Sequence, residues 1–333
     1  MMTITDTSSD SPALSDALVD APENHYPQTL PNPQTTGPLG LIAGSGQLPV
    51  SVALQAKAWG WDVVAFCLDN ENVKALEKAG ARIEVISPGL MADNLARGHG
   101  HGIRYAAFAG KVNKWLLLRN PKLDAKALET LQKIRERSDD GMMLAIIQLM
   151  AAEGFEVLAQ TEFLRTHFLP QGCLTKRGLT EVEWADVAYG FGLAKGMGAL
   201  DVGQTVVVHQ GMALAVEAIE GTDECLKRAG DLANKGWLKT FFNKKSGGVV
   251  VKVAKPNQDP RFDVPTVGLK TLKTMKEAGL KVLAAEAHRT FFLEPEAMVA
   301  YANRHEMSIV VTPEGQECSQ PLVLPFNLAT GLR

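Results

Sequence analysis

The sequence predicts an α/β protein of two domains, the first built on a parallel sheet covered by helices. Three observations lead there. The 333 residues exceed what one average hydrophobic core organises. From Leu39 onward, apolar runs of strand length alternate with helical stretches that stop at glycines, the rhythm of βαβ units. Near Pro170 the alternation begins again without repeating the first half, so the second half is a different α/β unit.

The elements follow in order. LGLIA (39–43) has the length and apolarity of a buried strand, and the turn GSGQLP (44–49) follows it. VSVALQAKAWG (50–60) reads as a helix stopped by Gly60, WDVVAFCLD (61–69) as a second buried strand, and NENVKALEKAG (70–80) as a helix with another glycine stop. ARIEVIS (81–87) is a third strand, MADNLARGHG (91–100) a helix or turn, and IRYAAFAG (103–110) a fourth strand. Two more helices, KLDAKALETLQKI and DDGMMLAIIQLMAAEG, precede FEVLAQTEFL (155–164).

In the second half, TEVEWADVAYGFGLAKGMGAL (180–200) is a long helix, and QTVVVHQGMALAVEAIEG (204–221) reads as two strands joined at Gln210-Gly211. Residues 223–245 are helical and then basic. VVVKVAKP (249–256) is a strand, TVGLKTLKTMKEAG (266–279) a helix and KVLAAEA (281–287) a strand; EPEAMVAYANRHE (294–306) is a helix before the strand MSIVVT. The expected division is an extension at 1–37, domains at 38–165 and 166–312, and an irregular tail at 313–333.

Composition narrows the function. With 46% hydrophobic and 21% charged residues the chain is a folded soluble protein, and a net charge of −3 supplies no field for a polyanion, so nucleic acid is excluded as a general partner. Cys67, Cys173, Cys225 and Cys318 are far apart and form no C-x-x-C, which fits a reducing cytosol and buried thiols rather than zinc or disulfides. The first 37 residues are rich in Pro, Ser, Thr and Asp and lack any lysine or arginine; they are expected to be disordered and are neither a signal nor a transit peptide. No apolar run reaches the roughly 20 residues that span a bilayer.

Several motifs carry candidate chemistry. In GSGQLP, Gly44, Ser45, Gly46 and Gln47 either make a tight turn or let a phosphate approach N–H groups at a helix start. Pro49 stands where a dinucleotide fingerprint has its third glycine, which counts against a nicotinamide cofactor, although Asp69 is placed to hold a ribose hydroxyl. Gly110, Lys111 and Asn113 follow the fourth strand, on the edge where a parallel sheet binds ligands. SDDG (138–141) is a helix cap at Ser138 or Asp139, with metal binding by Asp139 or Asp140 as the alternative. The proline-punctuated loop 254–268 interleaves Lys255, Gln258, Asp259, Arg261 and Asp263, and Arg261 suits two-point binding of phosphate or carboxylate. In EGTDE, either Thr222 or Asp223 caps a helix after Gly221, or Asp223 binds a metal or activates water with Glu217 or Glu220 nearby. The seven histidines are scattered, with no H-x-x-x-H pair, and no G-x-S-x-G appears, so a hydrolase here would use carboxylates and a metal.

LGLIAGSGQLP, FAGKVNK, LDVGQTVVVHQGMALAVEAIEGTDECLKR, VKVAKPNQDPRFDVPTVG and LAAEAHRT, in that order, resemble the LpxI-type UDP-2,3-diacylglucosamine diphosphatases of lipid A biosynthesis. The resemblance runs from about residue 38 to residue 312. It implies a Rossmann-like first domain, a second α/β domain with the ligand in the cleft between them, and hydrolysis of UDP-2,3-diacylglucosamine to UMP and lipid X with Mg²⁺ or Mn²⁺. Asp223 falls on the family's catalytic aspartate and is the candidate metal ligand. From residue type and motif position, Lys255 and Arg261 are expected to stabilise phosphoryl charge, and the 44–47 turn, residues 110–113, Gly221, Thr222 and Gln258 to contact substrate.

The acylated substrate that the resemblance implies would bring such an enzyme to a membrane surface, without spanning it, from the cytoplasmic side. KRAGDLANKGWLKTFFNKK (227–245), with Trp237, Phe241 and Phe242, is either an interfacial segment or a helix with a core-facing aromatic stripe. A homodimer is expected from the prevalence of two-fold oligomers. The rival readings are a nicotinamide-dependent oxidoreductase and a non-enzymatic nucleotide-sugar or lipid-binding protein.

Overall fold

The structure, a computed structural model, describes residues 29–111, 123–133, 139–235 and 247–313. It divides into two units, the chain leaving the first at Arg165 and returning to it for Asp259–Asp263.

The first unit holds a five-stranded parallel sheet of β1 (Leu39–Ala43), β2 (Val63–Cys67), β3 (Arg82–Val85), β4 (Tyr105–Ala109) and β5 (Glu156–Leu158), in the order β3-β2-β1-β4-β5. Strands β1, β2 and β4 are near-continuous apolar runs because a parallel sheet is covered on both faces. The helices are α1 (Leu48–Ala58), α2 (Val73–Lys78), α3 (Met91–Gly100), α4 (Ala125–Lys133), α5 (Asp139–Ala152) and the short α6 (Gln160–Phe163). MADNLARGHG is thus a helix, and FEVLAQTEFL divides into β5 and α6. A core of Val64, Phe66, Ile103, Phe108, Ile147 and Phe155 fills one side of the sheet, and Phe262 from the returning segment packs against it.

The order reverses direction at β1, whose neighbours are β2 and β4, with Ala43 opposite Ala109. The carboxyl ends of β1 and β4 therefore form the topological switch point where α/β sheets take ligands. Residues 29–37, expected as part of a disordered extension, instead make a turn: Leu30 is buried and the Thr29 hydroxyl donates to Glu162 at 2.8 Å. Residues 1–28 lie outside the described residues.

The second unit comprises residues 166–258 and 264–313. Its elements are β6 (Gly172–Cys173), α7 (Glu181–Ala199), β7 (Thr205–His209), β8 (Met212–Val216), α8 (Thr222–Ala233), β9 (Gly248–Lys252), β10 (Thr266–Val267), α9 (Leu269–Glu277), β11 (Leu280–Glu286), β12 (Phe291–Phe292), α10 (Pro295–Arg304) and β13 (Ser308–Thr312). A six-stranded sheet runs β6-β13-β11-β9-β7-β8, parallel through β13, β11 and β9 and antiparallel on to β7 and β8. Strand alternation sends Val207, Val250 and Leu283 into a core with Leu226 of α8, Met275 of α9 and Met298 of α10. Val206, Val208, Val249 and Val251 pack on the other face against Val187, Phe191 and Ala194 of α7.

The hairpin forms at the expected Gln210-Gly211, both left-handed, at φ 50° and 78°. The carboxylate of Asp186 accepts from both of their N–H groups, at 2.8 and 2.7 Å. The helix expected over 266–279 is shorter, because Thr266 and Val267 pair with Phe291 and Phe292 before α9 starts. Two β-branched residues followed by Gly268 favour that short strand over a helical first turn.

Helix α7 starts with a capping box between Thr180 and Glu183. Glu183 is fully buried and its carboxylate also accepts from Arg177 at 2.6 Å. Burial alone would push that carboxyl up, but Arg177 and the N–H groups of Thr180 and Gly247 outweigh it and leave it below its ordinary value. Such a group stabilises the fold above the carboxyl's unfolded pKa, and the contribution is lost as pH falls through the lowered folded one. Glu183→Ala is expected to lower unfolding free energy by about 2–3 kcal/mol at neutral pH, somewhat under a fully buried pair because Arg177 is partly exposed. The deficit should shrink in acid; urea unfolding at both pH values measures it, and an equal deficit at both would refute the assignment.

Candidate functional site

In the second unit, three polar residues meet at the ends of neighbouring strands. Strand β8 ends at Val216 and leads into Glu217, β7 begins at Thr205, and β9 ends at Lys252. Thr205 is paired with Lys252, and Glu217 N–H donates to the Thr205 carbonyl at 2.8 Å. Glu217 and Lys252 are each 8% exposed and Thr205 is fully buried. The Thr222 hydroxyl bridges this row, donating to Glu217 Oε1 at 2.8 Å and accepting from Lys252 Nζ at 3.0 Å.

Thr222 is the first residue of α8, and the cap is neither Thr222 nor Asp223 but Gly221, at φ 82°, with no side-chain cap bond. The Thr222 side chain turns to the sheet instead. Asp223 follows in the first turn, where the helix dipole favours a carboxylate. It forms an ion pair with Lys270 of α9 at 2.6 Å; the Asp223 side chain is 35% exposed and that of Lys270 85%. An exposed pair of this kind is weak and opens readily. Glu220 is tied elsewhere, to Arg228 at 2.5 Å, and its carboxyl lies below its ordinary value because its own backbone N–H and then Arg228 hold the charged form. Glu217, Glu220 and Asp223 therefore have three separate settings, and Glu224 beside Asp223 is paired with Lys227.

After β9, Lys255 pairs with Asp201 at 2.5 Å. The Gln258 side chain accepts from Lys255 N–H at 2.9 Å and donates to Gln204 at 3.4 Å, which braces the loop. Arg261 belongs to the first unit, and Asp259 holds its guanidinium with Nη2 to Oδ2 at 2.6 Å. Lys255 and Gln258 are thus grouped in one unit and Arg261 in the other.

Sequence reasoning missed Lys195 and Glu286. Glu286 ends β11, is 1% exposed, and accepts from Lys195 Nζ at 2.7 Å and from Ala254 N–H at 3.3 Å. Lys195 also donates to the Ala254 carbonyl at 3.0 Å. The signal was present: a lone carboxylate closing the buried run KVLAAE, and a lysine inside an apolar helix, each require a partner.

In the first unit, the ends of β1 and β4 are clasped. Ser45 and Lys111 exchange both backbone hydrogen bonds at 2.9 Å. Gly44 is a close-approach glycine: a Cβ there would lie 2.4 Å from the Lys111 carbonyl oxygen. At Gly110 a Cβ would meet the Ser45 oxygen at 2.6 Å and Pro49 at 2.8 Å. The Gly46 N–H, a donor that a phosphate at this turn would take, is given to Glu71 at 3.0 Å, and the Asn72 amide donates to the Gly44 and Gly46 carbonyls. Asp69 accepts from Glu71 N–H at 2.9 Å. Gln47 is exposed at the start of α1. With two carboxylates at its rim, the turn suits hydroxyl donors of a sugar better than a phosphate.

Cys67 and Cys225 are buried thiols, pushed up to about 11 by burial and then the charges of Asp69 and Glu77, and to about 12 chiefly by burial. Neither is a nucleophile. Among the described residues no group of three or more His, Cys, Asp and Glu side chains could hold a metal ion. Asn113, Ser138 and the aromatic segment with Trp237, Phe241 and Phe242 lie outside the described residues, as do the side chains of Asp139 and Asp140.

Residues 38–167 match the family described as the LpxI N-terminal domain, and residues 170–310 the LpxI C-terminal domain. The UDP-2,3-diacylglucosamine pyrophosphatase LpxI of Caulobacter vibrioides is 33% identical over 270 residues, which cover 80% of this chain and 94% of that protein.

Proposed function

Since this chain belongs to the LpxI family, we propose that it hydrolyses the diphosphate bond of UDP-2,3-diacylglucosamine to UMP and 2,3-diacylglucosamine 1-phosphate (lipid X), with Asp223 at the reacting atoms. The observation that carries the site is the state of Asp223. It is a half-buried carboxylate on the first turn of a helix, and its ion-pair partner is a highly exposed lysine that substrate can displace.

Water attacks one phosphorus, the bridging P–O bond breaks, and the water's proton must go to a base. Asp223 fits that role, and it equally fits as one ligand of a divalent ion. Mg²⁺ is commonly held by one or two carboxylates with phosphate oxygens and water completing the shell, so Asp223 without a cage is an adequate protein share. When bound, Mg²⁺ or Mn²⁺ neutralises phosphate charge and lowers the pKa of its water. Lys270, once released from Asp223, is available to phosphoryl oxygens, and Lys195 and Lys255 offer further N–H donors at the same strand ends. In the first unit, Lys111 and Arg261 are the candidate cations, and Glu71 and Asp69 at the glycine turn are acceptors for sugar hydroxyls.

No described helix is long and apolar enough to cross a membrane, and the proposed substrate is acylated, so we place the enzyme at the membrane surface on the cytoplasmic side. Purified protein given UDP-2,3-diacylglucosamine is expected to release UMP with Mg²⁺ or Mn²⁺ and to stop when the cation is chelated. UMP release unchanged by chelation would remove the metal from the proposal; no UMP under any condition would remove the substrate.

A further inference from the structure

Among the described residues of the second unit, Glu217 Oε2 and Thr205 Oγ1 are buried oxygens with no hydrogen-bond partner. Both lie in the row that ends at Lys252, where a carboxylate, a hydroxyl and an ammonium group are each more than nine-tenths buried. Burying such groups is costly, and a row of apolar side chains would stabilise the sheet at least as well. The Thr222 hydroxyl joins two of the three. Lys252 donates to it and it donates to Glu217, so the bond directions run one way along the chain of groups.

We propose that Glu217 and Lys252 are positioning residues for Asp223, acting through the Thr222 hydroxyl. The inference rests on the reading of Asp223 as the residue at the reacting atoms. Helix α8 lacks the side-chain cap that ordinarily fixes a first turn, and Gly221 before it offers none. The Thr222 side chain supplies the missing constraint from the sheet side. Anchoring Thr222 inward fixes the rotation of α8 about its axis, and the next residue is turned by about 100°. That rotation brings Asp223 to the partly exposed flank where it meets Lys270 of α9. Two fixed charges beneath one hydroxyl leave Thr222 a single orientation, and Asp223 inherits it.

Steady-state hydrolysis of UDP-2,3-diacylglucosamine tests this with isosteric variants. Thr222→Val removes the hydroxyl and is expected to lower kcat by about 10²-fold, the cost of slight misplacement, with KM little changed. Thr222→Ser should recover most of that loss. Glu217→Leu should lower kcat in the same way, and Glu217→Gln, whose amide oxygen still accepts from Thr222, should recover most of it. The Thr222 pair carries the test if Glu217→Leu does not fold. Asp223→Asn runs alongside: wild-type kcat there would overturn the catalytic reading itself. With Asp223→Asn inactive, any of three results overturns the positioning role alone. They are wild-type kcat in Thr222→Val, a rise in KM only, or a Glu217→Gln variant as inactive as Asp223→Asn.

Discussion

Asp223→Ala is expected to lose UMP release by roughly 10³-fold while folding normally. The loss is large because the neighbouring carboxylates are engaged elsewhere: Glu217 is bonded to Thr222 in the buried row, Glu220 is bound to Arg228, and Glu224 on the same first turn is paired with Lys227. The stability cost is small because the ion pair with Lys270 is exposed and the favourable dipole at the first helical turn is a surface effect. Together these amount to no more than about 1 kcal/mol. Product formation and urea unfolding, measured on the same preparation, separate the two quantities. Full activity in Asp223→Ala would move the chemistry to another residue, and inactivity caused by unfolding would leave the role unsupported.

Gly44→Ala carries the largest expected effect on the fold. Its Cβ would sit 2.4 Å from the Lys111 oxygen and 2.8 Å from the Lys111 carbonyl carbon, both backbone atoms of the clasp between β1 and β4. A flexible side chain could move aside, but this neighbour is held by paired hydrogen bonds to Ser45. A loss of about 4 kcal/mol is expected, at the upper end for a point substitution. Gly46→Ala is the internal comparison. Its Cβ would meet nothing within 4 Å, and the φ of 90° leaves only the strain of a left-handed non-glycine residue, about 1–2 kcal/mol. Equal stability of the two variants in urea unfolding would disprove the close-approach account.

Much of the fold was legible because its strands are buried on both faces and punctuated by glycine. The run LGLIA matches β1 residue for residue, and Gln210-Gly211 marked its hairpin because a two-residue turn of that hand needs positive φ at both positions. The motif order also identified the family that both domain matches support. Weaker signals failed where local preference met tertiary demand. Thr222 reads as a cap from its neighbours, but Lys252 and Glu217, distant in sequence, draw its hydroxyl inward. For Arg261, read as a phosphate clamp, the structure adds a local partner, Asp259, two residues earlier. Lys195 and Glu286 are 91 residues apart, and nothing local relates them. The glycines of GSGQLP were visible, but the Lys111 backbone that requires one of them to be glycine is reached only through the β1–β4 pairing.

The return of Asp259–Asp263 to the first unit bears on the order in which this protein matures. On the ribosome, β1 through β5 can pair as soon as they emerge, yet the cluster around Phe66 and Phe155 stays without Phe262 until most of the second unit has been made. The nascent first unit therefore waits with an apolar patch uncovered, at the stage when chaperones engage incomplete domains. A fragment cut at Arg165 would keep that patch for good, so a preparation of the first unit alone should include residues 259–263 by permutation or fusion rather than by simple truncation.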